Sequence, residues 1–386
     1  MNDWARWADE EAAAVRAAGR WRRPRTLDTG GPATTGGTVA GDGESARRPV
    51  VSFASNDYLG LTRHPRVVAA AHEAIDRWGT GSGSARLIVG SRPVHDELEA
   101  ELADWKRAEA AVLFSTGYAA NLGLLGTLGG PDVLVCSDEL NHASLIDGRR
   151  LSGSPLAVYR HLDADHVDEI LRGSQHRRAL VVTETVFSMD GDVAPVRELV
   201  DVCARHGALL VLDEAHAVLG PDVCLDGVEA VRVGTLSKTL ASLGGFVAGP
   251  ARYTDLLVNR ARTYIFTTAS TPADAAAALA ALRVLRSPEG DDLRARLAAN
   301  VARVRPGHPS PILPYVCGSE TRALAAAAAL LERGLLVTAI RPPTVPPGTS
   351  RLRVALSALH TDAQIDELLD ALAEQFPDVA GATSPR

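Results

Sequence analysis

Along residues 110–212 short apolar runs alternate with stretches of helical periodicity, and that alternation predicts the architecture. Residues 110–114, 133–136, 156–159, 180–183 and 208–212 are brief and almost continuously apolar, which is how strands buried on both faces read. Between them, helical spacing marks 119–128, 142–151, 164–171 and 196–206. Strand, turn and helix in repetition predict an α/β fold: a mostly parallel sheet covered on both faces, with its chemistry beyond the carboxyl ends of the strands.

Outside this core the pattern changes. Trp4, Trp7, Ala12, Val15 and Ala18 recur at helical spacing, so residues 3–18 predict an amphipathic helix ending near Gly19. Residues 28–43 are rich in Gly and Thr and predict a loop or weak hairpin, followed by a short strand at 50–54. Ser55-Asn56-Asp57-Tyr58-Leu59-Gly60 is turn chemistry before a helix from Pro65, and another helix covers 93–106. Beyond Thr271 the chain becomes Ala-rich, with helices at 272–285 and 320–333, a strand at 350–357 and a last helix at 362–375. The tail after Pro377 reads as frayed. These shifts predict an N-terminal helix and linker (1–54), a large domain (55–271) and a smaller C-terminal α+β domain (272–386).

Composition narrows the function. With 386 residues, 46% hydrophobic and 23% charged, the chain supports a large buried core. A net charge of -7 and scattered arginines argue against nucleic acid or an anionic membrane as partner. No uncharged apolar run approaches the ~20 residues of a membrane helix, and the charged N-terminus lacks the apolar centre of a signal peptide. Cys136, Cys203, Cys224 and Cys317 stand far apart, so neither a metal site nor a disulfide framework is indicated, and a reducing cytoplasm is the natural setting.

Only two lysines, Lys106 and Lys238, stand among 40 basic residues. Lys238 lies in Thr235-Leu236-Ser237-Lys238-Thr239, without an acid within five residues. A lysine so placed can lose its proton and attack a carbonyl, which arginine cannot do. A structural lysine is the commoner case for one seen alone, so its companions decide.

Asp213 follows a buried strand, in Asp213-Glu214-Ala215-His216, where a carboxylate can keep a cofactor's pyridine nitrogen protonated. The helicase reading of Asp-Glu-Ala-His fails, because no Gly-x-x-x-x-Gly-Lys-Ser/Thr loop precedes it. Ser115-Thr116-Gly117-Tyr118 joins a strand to a helix and can hold a phosphate on its N–H groups. His142 and Ser188 also follow strands. Gly117, His142, Ser188, Asp213 with His216, and Lys238 thus place polar groups at five strand ends. The small-residue stretch 79–86 is a weaker anion candidate.

These motifs, with Ser55-Asn56-Asp57-Tyr58-Leu59-Gly60-Leu61, Asn141-His142-Ala143-Ser144, Val186-Phe187-Ser188-Met189-Asp190-Gly191-Asp192 and Arg341-Pro342-Pro343-Thr344-Val345-Pro346, resemble the α-oxoamine synthases. That family comprises pyridoxal 5'-phosphate (PLP) enzymes of fold type I, the aminotransferase-like transferases. The resemblance implies that Lys238 forms a Schiff base with the cofactor and later moves the substrate's α-proton. Asp213 would pair with the pyridinium, His142 stack on the ring, and His216 and Ser188 lie near its hydroxyl, while Gly117, Tyr118 and Thr235 help hold the cofactor. Arg353 would take the amino-acid carboxylate, and Arg20, His142 and Thr344 would serve the substrates.

The resemblance is strongest to members that condense L-alanine with a pimeloyl thioester, carried on CoA or acyl carrier protein. It further implies a homodimer with a shared active site, in which the 81–84 loop reaches the partner's phosphate. Glycine C-acetyltransferase, 5-aminolevulinate synthase and serine palmitoyltransferase are alternatives within the family. A non-catalytic PLP-binding protein is an alternative of another class. Departures from the family pattern are Ala217 where glycine is usual, a short 219–231 segment and a compressed 305–317 region.

Overall fold

Within each central strand the two-residue period decides which core a side chain joins. The computed structural model describes residues 2–29, 37–40 and 47–377. It contains seven strands in one sheet: β1 (Ala110–Phe114), β2 (Val133–Asp138), β3 (Leu156–Tyr159), β4 (Arg178–Glu184), β5 (Leu209–Asp213), β6 (Ala230–Thr235) and β7 (Gly245–Gly249). Val133, Val135, Leu180, Val182, Leu209 and Val211 face one core, with Ala120, Leu124 and Leu125 of the helix Gly117–Leu128. Leu134, Cys136, Val181, Leu210 and Leu212 face the other, against the helices Ala164–Gly173 and Val196–His206. Each buried Leu or Val contributes about 1.5–3 kcal/mol relative to exposure, so a one-residue slip in register is heavily disfavoured.

Spatially the strands run β1, β7, β6, β5, β4, β2, β3. The pairs from β6 through β5, β4 and β2 to β3 are parallel, while β7 is antiparallel to both β1 and β6. The sheet is therefore mixed at one strand, which the apolar pattern did not reveal. Helices stop where the chain must turn back: Val196–His206 ends at Gly207, whose φ of 63° is the left-handed conformation that glycine adopts without a Cβ penalty.

The chain divides into two compact units, Asn56–Ala298 and the combination of Met1–Ser55 with Ala299–Arg386. The first division falls one residue from the expected 54, the second after Ala298 instead of 271, and the N-terminal segment joins the C-terminal one in a single unit. Helix Pro272–Leu285 stays with the large unit because it packs on Pro65–Trp78 and Pro93–Trp105. In the other unit, Leu27–Asp28, Gly37–Ala40, Arg47–Ser52 and Leu335–Leu336 form one sheet. A second, antiparallel one places Ser350–Ala355 between Ile312–Gly318 and Thr338–Ile340. Most of the 28–43 segment and the tail after Pro377 lie outside the described residues.

Candidate active site

The carboxyl ends of the central strands open on a cleft of about 240 Å³. Gly117, Tyr118, His142, Asp213, His216, Thr235 and Lys238 all line it, seven of the positions singled out by sequence. Ser188 is buried, and its N–H donates to Oε2 of the cleft residue Glu184 at 3.1 Å.

Asp213 closes β5, in register with Glu184 on β4 and Val233 on β6. One oxygen accepts from the Ala215 N–H at 3.0 Å and the other from Asn121 Nδ2 at 2.7 Å. The same Asn121 amide donates to Ser144 Oγ at 2.9 Å, and Ser144 Oγ lies 2.7 Å from His142 Nδ1. A polar chain therefore runs from the carboxylate to the imidazole, fixing both orientations. His142 also caps the helix Ala143–Ser152, accepting the Ser144 N–H at 3.2 Å.

Electrostatics separate the titratable groups. Burial by the surrounding protein, aided by the Lys238 charge, lowers the His142 pKa below its usual value, with Asp213 acting the other way. The imidazole is thus neutral at pH 7. Glu184 is pushed up to about 8, first by burial and then by the Asp213 charge, against the opposing Ser188 N–H and Lys238. It carries its proton at neutral pH. His216 Nδ1 is 2.7 Å from the buried Tyr58 hydroxyl.

At the mouth of β1, Thr116 caps the helix Gly117–Leu128 through the Ala119 N–H, leaving the first N–H groups of the helix to face the cleft. Backbones crowd here: a Cβ on Gly245 would lie 2.5 Å from Gly117 N, and one on Gly117 3.2 Å from Thr235 Cβ. At Gly245 only glycine permits this approach. Thr235 Oγ1 in turn donates to Gly244 O at 3.0 Å and lies 2.6 Å from Ser237 Oγ.

These residues fit PLP. A buried carboxylate aims at one end of the cleft, a lysine shares it, and a helix N-terminus faces it where an anion would sit. Asn121 Oδ1 and Glu184 Oε1 are buried oxygens without a hydrogen-bond partner, as expected where a polar ligand completes a site. A cleft below the roughly 300 Å³ of drug-sized sites suits one small heterocycle.

Three remaining expectations fall in the other unit. Arg353 is buried on Ser350–Ala355, beside Pro314 and Thr338 in register. Thr344 is exposed. Arg20 makes a two-pronged contact with Glu320 Oε1, at 3.1 and 2.9 Å. Sequence reasoning did not assign Asn121, Ser144, Glu184 or Tyr58 a role. Each lies inside or beside a quoted motif, but Asn121, Ser144 and Tyr58 find partners 23 to 158 positions away, while Glu184 meets Ser188 four positions on.

Comparison with known proteins accords with this geometry. The model for aminotransferase class I and II matches residues 48–372. The 8-amino-7-oxononanoate synthase of Anaeromyxobacter sp. (strain K) is 50% identical, over 98% of both chains. The chain belongs to the 8-amino-7-oxononanoate synthase family. It is an enzyme of the PLP-dependent, fold type I class. Among solved structures, serine palmitoyltransferase from S. paucimobilis with a bound PLP-myriocin aldimine matches with a TM-score of 0.89 and 29% identity, over 99% of this chain and 100% of that one. The 8-amino-7-oxononanoate synthase of Francisella tularensis matches with a TM-score of 0.72 and 26% identity, over 86% and 98%.

Proposed function

We propose that the enzyme condenses L-alanine with a pimeloyl thioester, releasing CO2 and free thiol and forming 8-amino-7-oxononanoate for biotin synthesis. The observation that carries this reading is the shared cleft of Lys238, Asp213 and His142 in a chain half identical to proteins of that name. When bound, PLP supplies an electron sink for the bond broken at the substrate's α-carbon.

The protein's residues do the rest. The Lys238 amine would hold the cofactor and would take the substrate's α-proton. Asp213, held in place by the Ala215 N–H and the Asn121 amide, would keep the proton on the pyridine nitrogen. His142, neutral and fixed through Ser144, would stack on the ring and orient the substrate. His216 and Ser188 serve the ring hydroxyl. Gly117, Tyr118 and Thr235 would help hold the cofactor. By resemblance, Arg353 takes the alanine carboxylate, and Arg20 and Thr344 the acyl substrate, with Glu320 competing for Arg20.

A homodimer with a shared site belongs to the same proposal. Ile88, Val89 and Phe266 are about 70% exposed, an apolar surface that a second copy would cover. The neighbouring 81–84 loop is fastened for such a role, since Ser82 Oγ donates to Ser270 O at 2.6 Å and Ala85 bridges Thr268. Four free cysteines suit a reducing cytoplasm. CoA and acyl carrier protein are the two thioester carriers to compare.

The likeness to serine palmitoyltransferase favours a second reading, with serine and a longer acyl chain. A panel of amino acids against acyl thioesters, read as thiol and CO2 release, separates the two. Release with alanine and the pimeloyl thioester is expected. Release with serine alone supports the second reading, and no release with any pair leaves a non-catalytic PLP-binding protein.

A further inference from the structure

Two loops bring His142 and Ser188 into place, and both are tied to a histidine with no part in the chemistry above. His161 lies in the turn after β3. Its Nδ1 is 2.9 Å from Asp138 Oδ1 and its Nε2 is 2.9 Å from Asp192 Oδ2. Serving two carboxylates requires an N–H on both nitrogens, so the ring is an imidazolium. Each contact is a charge-assisted hydrogen bond, about twice the strength of a neutral one.

The two carboxylates anchor different segments. Asp138 ends β2 and is almost fully buried. Its Oδ1 also accepts from Leu140 N at 2.9 Å, and its Oδ2 from Leu162 N at 3.1 Å. Glu139 Oε1 accepts the His161 N–H at 2.9 Å. Asn141 then donates to Ser137 Oγ and Val182 O, both at 2.8 Å, and the next residue is His142. On the other side Asp192 O accepts from Phe187 N at 3.0 Å, Gly191 N donates to Phe187 O at 2.8 Å, and Val186 bridges Val193. The Phe187 ring meets the His161 ring edge to face, with centroids 4.4 Å apart.

We propose that His161 is a positioning residue, a cationic clamp that locks the 138–141 turn to the 187–192 loop and thereby sets His142 and Ser188 at the cofactor cleft. It rests on the reading of that cleft as the PLP site. Burial opposes the charge on His161, but the hydrogen bonds to Asp138 and Asp192 prevail and push its pKa up to about 10. The stabilisation from a raised pKa is complete below the ordinary histidine value and is lost as pH rises through about 10. The clamp therefore stays closed across neutral pH. His142 titrates in the opposite sense, its pKa lowered by burial.

The test uses the full-length protein with PLP and three variants: His161→Gln, Asp192→Asn and the double substitution. Glutamine donates from one amide group and serves one carboxylate at a time, while Asp192 is partly exposed and tolerates the change. Amide hydrogen exchange over 138–144 and 187–192 should rise by about tenfold in His161→Gln with β5 and β6 unaffected, since one charge-assisted bond is lost. PLP affinity should fall together with kcat while KM for the thioester holds. The double variant should be no worse than His161→Gln alone.

Unchanged exchange in both loops, or a rise spread evenly over the large sheet, would overturn the clamp. If His161→Gln does not fold, Asp192→Asn decides by the same exchange readout. Failure of the wild-type protein to load PLP on Lys238 would sink the cofactor reading and leave the exchange result to judge the clamp separately.

Discussion

Asp213 and Glu214 are adjacent at the end of β5, and each shares its surroundings with one of the chain's two lysines. Around Glu214 two cations share one carboxylate: Lys106 Nζ lies 2.6 Å from one oxygen and Arg232 Nη1 2.6 Å from the other, all nearly buried. Lys106 also sits 3.6 Å over the Trp105 ring. Around Asp213 the carboxylate has two fixed donors, yet it lines an open cleft with Lys238, and two neighbouring buried oxygens lack partners. A carboxylate and a lysine thus serve stability on one side of a strand end and chemistry on the other. What separates them is that Glu214 sits between two cations, whereas the buried Asn121 Oδ1 and Glu184 Oε1 beside Asp213 have no cation against them among the described residues.

Substitutions should expose that division. Lys238→Ala should cause the largest effect, lowering kcat by roughly 10,000-fold because both covalent attachment and proton transfer are lost. Thermal stability should scarcely move. Asp213→Asn keeps the shape but removes the charge opposite the pyridine nitrogen, and kcat should fall about 100-fold or more. Lys106→Met should do the reverse. It leaves Glu214 in the interior paired with Arg232 alone and removes one charge-assisted contact, costing about 2 kcal/mol in a urea titration, while kcat in the folded protein stays within about twofold.

A pH experiment sharpens the same contrast. Lys106 and Arg232 overcome the burial of Glu214 and hold its pKa below the ordinary value of 4.5. A depressed carboxylate pKa adds stability above the unfolded value, and that stability is lost as pH falls through the folded one. Acid unfolding of Lys106→Met should therefore begin at higher pH than in the wild-type protein, whereas Lys238→Ala should leave the acid midpoint in place. The smallest effect belongs to His142, whose imidazole should titrate below 6.5 by NMR and move upward in Lys238→Ala, since the Lys238 charge helps to depress it.

How far the sequence carried the account follows from the same physics. β1 and β3 were legible to the residue, because continuous apolar runs bounded by turns have few other solutions. β7 and the bounds of β6 escaped, since Gly234, Gly245 and Gly249 interrupt their pattern and the lysine loop joins them as an antiparallel pair instead of through a helix. Ile312–Gly318 was hidden likewise by Pro314. The cleft residues were readable from their positions at strand ends, which topology alone brings together. Asn121 and Ser144, which join Asp213 to His142, were not, because nothing local says where an amide points. Arg20 shows the limit most clearly: Glu320, its partner, is 300 positions away.

The central claim is that Lys238, and not Lys106, carries the cofactor. Borohydride reduction of the PLP-loaded protein, followed by peptide mapping, tests it directly. The account predicts a stable adduct on the peptide containing Lys238 and none on that containing Lys106. An adduct on Lys106, or none on either lysine in protein saturated with PLP, would contradict it.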